Sequence, residues 1–208
     1  MNTNSSKSSD NFFWSDKSGY GYYPVTNDGV YNDSYFDKYV RYEQTTFGRE
    51  LNEFRVDIVK KFVDGAVLDI GVGCGSFIKL HGNAYGFDVC KKAVEWLKDS
   101  GLYLDPYSES LANVEALTFF DSLEHIGDLW PILKRAQGKS IVASIPVFES
   151  REATLKSKHF RPDEHYHYFT IEGFQRFMDL NNFRLRWISD YETQLGRDSI
   201  MTFVFAPR

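Results

Sequence analysis

Two cysteines, Cys74 and Cys90, are all that this 208-residue chain contains, and neither sits in a cluster with metal-like spacing. That scarcity excludes a disulfide framework and fits a reducing compartment, so a cytoplasmic location is expected. Long apolar runs are missing too. No stretch approaches the roughly 20 residues a membrane span needs, and residues 1–10 are rich in Asn and Ser without an apolar core, so the start does not read as a secretory signal. No membrane partner is expected. Positive charge is also short, with 24 Lys and Arg against 29 Asp and Glu and a formal net charge of −5. Non-specific nucleic-acid binding draws on cations that neutralise phosphates, so a nucleic acid is not the expected partner. What the chain has in abundance is rings: 18 Phe, 13 Tyr and 4 Trp. Most of them belong in a core, and the length suits one domain.

Residues 1–19 are polar and of low complexity, which predicts disorder. The run Gly19-Tyr20-Gly21-Tyr22-Tyr23-Pro24 is too turn-rich for a helix, and residues 1–33 are read as a tail plus an aromatic, lid-like segment. A helical pattern starts at Ser34. Phe47, Leu51, Phe54, Ile58 and Phe62 form one apolar stripe, with a break expected near Thr45-Thr46. Residues 34–208 then alternate strand and helix. Strands are predicted at 66–70, 84–89, 114–120 and 140–145, with a weak one at 102–104. Two strands in succession, 183–188 and 200–205, close the chain. Thr170 caps the helix between, with Phe169 and Phe174 as a hydrophobic staple. This order predicts an α/β, Rossmann-like, seven-stranded, mostly parallel doubly wound sheet with a terminal antiparallel hairpin.

The first strand of that sheet ends in Gly71-Val72-Gly73-Cys74-Gly75. Glycines allow a sharp turn and a close ligand approach, and in doubly wound sheets ligands bind beyond the carboxyl ends of the strands. Asp69 lies inside the strand, where a carboxylate is costly unless hydrogen-bonded. It is suited to orienting the loop or meeting an ammonium group. Asp88, nineteen residues later, ends the second strand, where an acidic residue can accept from both hydroxyls of a ribose. A dinucleotide site wants Gly-x-Gly-x-x-Gly. Ser76 stands at the third glycine's place and Gly75 comes one residue early, which disfavours an NAD-linked oxidoreductase.

These residues, with Gly86-Phe87-Asp88-Val89 and the segment Phe119-Phe120-Asp121-Ser122-Leu123-Glu124-His125-Ile126, resemble the class I methyltransferases that use S-adenosylmethionine (SAM). The likeness is to the small-molecule branch that includes ubiquinone-biosynthesis and glycan-tailoring enzymes. It implies that SAM is the cofactor and S-adenosylhomocysteine (SAH) the product. Asp69, Gly71, Gly73, Cys74 and Gly75 would wrap the methionine part, Asp88 would take the ribose, Phe87 and Val89 would flank the adenine, and Asp121 and Ser122 would lie near the sulfonium. The acidic residue that usually follows the third strand has no clear counterpart; Asp105 is nearest.

The acceptor is less legible. His125 and His165 are the candidate bases, because an imidazole titrates near neutrality. Three of the five histidines lie within residues 159–167, in a connection long enough to suggest function. There His159, Arg161, Glu164 and His167 are candidate acceptor contacts. No metal is expected, since no known ligand spacing is enforced. The chain has neither the Pro-Pro run of DNA amino-methyltransferases nor the Pro-Cys of cytosine enzymes, so a small-molecule or glycan-like acceptor, methylated on oxygen or nitrogen, is the expectation. The alternative is a catalytically silent SAM-binding module that serves a partner. Tyr20, Tyr22 and Tyr23 are expected to form part of a lid over the cleft.

Overall fold

The structure, a computed structural model, describes residues 9–25 and 33–208. Its elements in chain order are β1 (Phe13–Ser15), β2 (Tyr20–Tyr22), α1 (Asp33–Glu43), α2 (Thr46–Phe62), β3 (Val67–Ile70), α3 (Ser76–His81), β4 (Ala84–Phe87), α4 (Lys91–Asp99) and β5 (Ala116–Phe120). Then follow α5 (Trp130–Arg135), β6 (Ser140–Pro146), α6 (Arg151–Lys156), β7 (His167–Phe169), α7 (Ile171–Leu180), β8 (Phe183–Ser189), α8 (Tyr191–Gln194) and β9 (Ile200–Pro207).

Six strands form the main sheet in the order β4-β3-β5-β6-β9-β8. The first three pairings are parallel and the two involving β9 are antiparallel. The α/β, Rossmann-like, mostly parallel architecture with its closing hairpin is therefore as predicted. The seventh strand is not. Residues 102–104 make only one parallel bridge, Tyr103 to Gly86, beside β4.

Helices cover both faces, and the sheet sorts its side chains between them with the period of two that a strand imposes. Leu68, Ile70, Leu117 and Phe119 pack with Ile132 of α5 and Phe174 of α7. Val67, Ala116 and Phe120 pack with Val59 of α2, Phe77 of α3 and Leu97 of α4. Burial on both faces explains the apolar run of β5, which Thr118 alone interrupts. The helix break near 45 is real: Thr45 caps α2 by accepting from the Gly48 amide at 2.9 Å. Thr170 does the same for Gly173, and the Phe169 and Phe174 rings stand 5.1 Å apart as the staple requires. Asp128 accepts from Trp130 N at 3.0 Å ahead of α5.

The N-terminal reading needs correction. Residues 9–19 are not disordered: β1 and β2 form a hairpin that joins β7 in a small antiparallel sheet. Phe12 is buried against Phe160 and Tyr168, and such a ring supplies the apolar area that the polar composition conceals. Residues 1–8 and 26–32, including Tyr31, lie outside the described residues. No helix among the described residues is long and apolar enough to cross a membrane.

Candidate active site

Strand order reverses at β3, and beyond the carboxyl ends of β3, β4 and β5 opens a cavity of about 640 Å³, a size usual for small-molecule sites. Gly71 and Gly73 line it with φ of 83° and 57°. A Cβ on Gly71 would sit 2.6 Å from Ser122 Cβ, so backbone conformation and space both demand glycine. Cys74 also lines the cavity. Gly75 does not; it precedes α3, with the Trp96 ring packed where its Cβ would be.

Asp69 is buried and accepts from Thr118 Oγ1 at 2.6 Å. Burial pushes its pKa up to about 7, with the Thr118 hydrogen bond and Arg55 opposing. Asp88 accepts from Cys90 N at 2.7 Å and Gly73 N at 3.1 Å. It thus ties the end of β4 to the glycine turn, and burial raises its pKa against those amides. Phe87 and Val89 line the same end, joined by Tyr107, whose ring meets Phe87 edge-on at 5.7 Å. Asp105 is not among the lining residues; it accepts from Tyr107 N and Ser108 Oγ, both at 2.8 Å, and shapes the turn that presents Tyr107. Ser122 donates to Ile70 O and locks β5 to β3.

At the centre is a charge network that the sequence did not disclose. Arg55 reaches Asp121 Oδ2 at 2.8 Å and Glu192 Oε1 at 2.9 Å. Arg197 reaches Asp121 Oδ1 at 2.8 Å and also pairs with Glu192. Glu192 is fully buried and accepts from Ser144 Oγ at 2.7 Å. The Arg55 guanidinium lies 4.7 Å from the Phe120 ring centroid. The two arginines hold the Asp121 carboxyl well below the usual range despite its burial, and Asp121 itself adopts a left-handed φ of 58°, a cost that its two ion pairs offset. One signal was present: Arg55, four residues after Leu51, interrupts the buried face of α2. Glu192 and Arg197 carried none.

The far end of the cavity is lined by Glu124, His125, His159, Arg161 and His165. His125 Nδ1 bonds the Glu164 carbonyl at 2.9 Å, and its ring meets His165 edge-on at 4.5 Å. Burial lowers the pKa of both imidazoles, and the proximity of His125 lowers that of His165 further. Glu124 is buried, and desolvation with the nearby Asp121 charge pushes it up to about 8. His159 Nε2 bonds Asp198 O at 2.8 Å. Glu164 does not line the cavity; it pairs with Arg161 at 2.8 Å and so orients it.

His167 is a correction. Both its nitrogens are engaged away from the cavity, Nδ1 with Tyr20 OH and Nε2 with Ile126 O, each at 2.8 Å. Pairing of β7 with β2 puts it opposite Tyr22 in the small sheet. The aromatic lid is corrected with it. Tyr20 packs on Phe169 and Phe177, Tyr22 on Tyr166, and Tyr23 on Phe160. Tyrosines that do line the cavity include Tyr39 and Tyr42 of α1.

No family model and no curated protein sequence matches this chain. Solved structures do. The magnesium protoporphyrin IX methyltransferase of Synechocystis, with bound SAH, aligns at a TM-score of 0.59 and 14% identity over 86% of this chain and 96% of that one. A SAM-dependent methyltransferase of Thermotoga maritima, described as a possible histamine N-methyltransferase, aligns at 0.62 and 16% over 84% and 97%. The 1,6-didemethyltoxoflavin-N1-methyltransferase of Burkholderia thailandensis aligns at 0.56 and 14% over 84% of each chain. The chain therefore has the fold of the SAM-dependent methyltransferases, as its glycine turn, Asp69 within the first strand and Asp88 at the end of the second led one to expect.

Proposed function

We propose that this protein is a SAM-dependent methyltransferase whose acceptor is a small molecule, a sugar or a related metabolite, methylated on oxygen or nitrogen. The observation that carries this reading is the placement of Asp69, Asp88 and the Gly71-Val72-Gly73 turn around one end of a single cavity. Its other end presents the imidazoles of His125, His159 and His165 and the Glu124 carboxyl, beside Arg161 paired with Glu164. The solved neighbours named above, which act on a porphyrin and a toxoflavin precursor, support an acceptor of this size.

The cofactor would supply the intrinsic reactivity. Asp69 would face its ammonium group, the glycine turn its amino-acid part, Asp88 its ribose hydroxyls, and Phe87, Val89 and Tyr107 its adenine. Asp121 and Ser122 would border the sulfonium, with Asp121 fixed by Arg55 and Arg197. Transfer is an in-line displacement, and holding the acceptor aligned can contribute roughly 7–11 kcal/mol to lowering the barrier. Burial disfavours the cationic forms of His125 and His165. They and Glu124 are the groups at hand to deal with an acceptor proton, while His159 and Arg161 border the acceptor. The test is turnover: mass spectrometry of the protein with SAM and pooled metabolites and glycans should show SAH together with a product 14 Da heavier, the mass of an added methylene. SAM left unconsumed across chemically diverse pools contradicts the reading.

A further inference from the structure

The far end of the cavity holds polar atoms that its charge pairing does not satisfy. Glu124 and His165 are each 3% exposed. Glu124 Oε2 and His165 Nδ1 have no hydrogen-bond partner among the described residues. Leaving such an atom buried and unsatisfied is costly, and here two face the same space. The neighbouring cations do not answer them. Arg55 and Arg197 close a neutral network with Asp121 and Glu192, and Arg161 is paired with Glu164.

His125 completes the group. Because its Nδ1 bonds a backbone carbonyl, that nitrogen carries the proton and Nε2 holds the ring's lone pair. A carbonyl bond at the far nitrogen is also how a ligating imidazole is oriented and made more basic. Glu124, His125 and His165 each offer one ligand atom, and these lie within 4.8 Å of one another. Ligands about 2.0–2.2 Å from a common ion stand within roughly 4 Å of each other, so small side-chain rotations would close the group.

The geometry points to a divalent transition-metal site built from Glu124, His125 and His165. Two imidazoles and one carboxylate suit Zn²⁺ or Fe²⁺ and are poor ligands for Mg²⁺. Three protein ligands leave a position open to the cavity, as in catalytic zinc sites. The existence of the site does not depend on the proposed methyl transfer, but its use does. A hydroxyl acceptor bound to the ion would lose its proton to solvent more readily. The resulting oxygen attacks the methyl carbon, the sulfonium S–C bond breaks with its electron pair staying on sulfur, and the products are a methyl ether and SAH. His125 and His165 then act as ligands, not as proton carriers.

Chelator-stripped protein titrated with Zn²⁺ tests the site, with Mg²⁺ as the comparison ion and Co²⁺ as a spectroscopic substitute. One Zn²⁺ per chain is expected, with weaker or no Mg²⁺ binding and with visible Co²⁺ bands that Zn²⁺ displaces. Glu124→Gln and His165→Gln should each weaken Zn²⁺ at least tenfold, of the order expected for a disturbed metal shell. SAH titration and circular dichroism of the same variants report whether they fold. Where a variant does not, X-ray absorption of the wild-type Zn²⁺ protein decides, since two imidazoles must appear in its scattering. Absence of stoichiometric Zn²⁺, equal affinity in both folded variants, or a shell without imidazole overturns the site. Zn²⁺ binding without SAH binding would instead remove the methyltransferase reading and leave the metal site standing.

Discussion

Asp69 is the residue whose environment makes the sharpest demand. At acid pH it is protonated in the folded and unfolded chain alike. As pH rises from about 4 to about 7, the unfolded chain releases this proton while the fold retains it. Folding stability therefore falls across that window, by roughly 4 kcal/mol for so large a displacement, and is level above it. Asp69→Asn, which keeps an oxygen for Thr118, should remove this slope in urea titrations run at several pH values; an unchanged slope would mean that Asp69 ionises normally. A cationic ligand group has the opposite preference. SAH affinity of the wild type should rise from about pH 6 to about pH 8 as Asp69 ionises, and calorimetry of Asp69→Asn should show a flat profile. At Gly71 the demand is steric. Gly71→Ala places a methyl against Ser122 Cβ at a left-handed φ, so the variant should lose at least 1–2 kcal/mol of stability and most of its SAH affinity. A variant that melts and binds like the wild type would show the turn to be freely adjustable.

Among the elements, α2, α8 and the end of β5 are joined by the Arg55, Asp121, Glu192 and Arg197 network, beside the apolar packing of α2 on β5. Replacing one member of a buried ion pair leaves its partner uncompensated and typically costs about 3–5 kcal/mol. Arg55→Met should fall in that range by denaturant unfolding, and adding Glu192→Gln should restore part of the loss. Strict additivity of the two changes would show that they are not coupled. The N-terminal hairpin acts as an element of the core. Phe12→Ala should destabilise by about 3–5 kcal/mol, whereas a change within about 0.5 kcal/mol would mean that the hairpin is an ornament.

At the scale of the whole molecule, what the sequence disclosed and what it hid divide along chain distance. The glycine turn, Asp69 and Asp88 belong to one β-α-β stretch, where hydrophobic period and punctuation are local and can be read directly. The main sheet follows from the same alternation. The small sheet was illegible because strands of three residues, one containing Gly21, carry almost no period-two signal. The far end of the cavity was half legible. His125 and His165 could be named, but His165 joins Glu124 and His125 because Tyr166 N bonds Glu124 O at 2.8 Å, a contact between residues 42 positions apart. His167 was misplaced for the same reason, since its partner strand lies near the chain's start.

The central claim is that this cavity is built for SAM, and one titration tests it most directly. Calorimetry of the wild-type protein with SAH should give saturable binding at one site per chain, and Asp88→Ala, which deletes the carboxylate between the glycine turn and β4, should weaken it at least tenfold, a loss of about 1.4 kcal/mol or more. No binding by the wild type, or equal binding by a folded Asp88→Ala variant, would contradict the account.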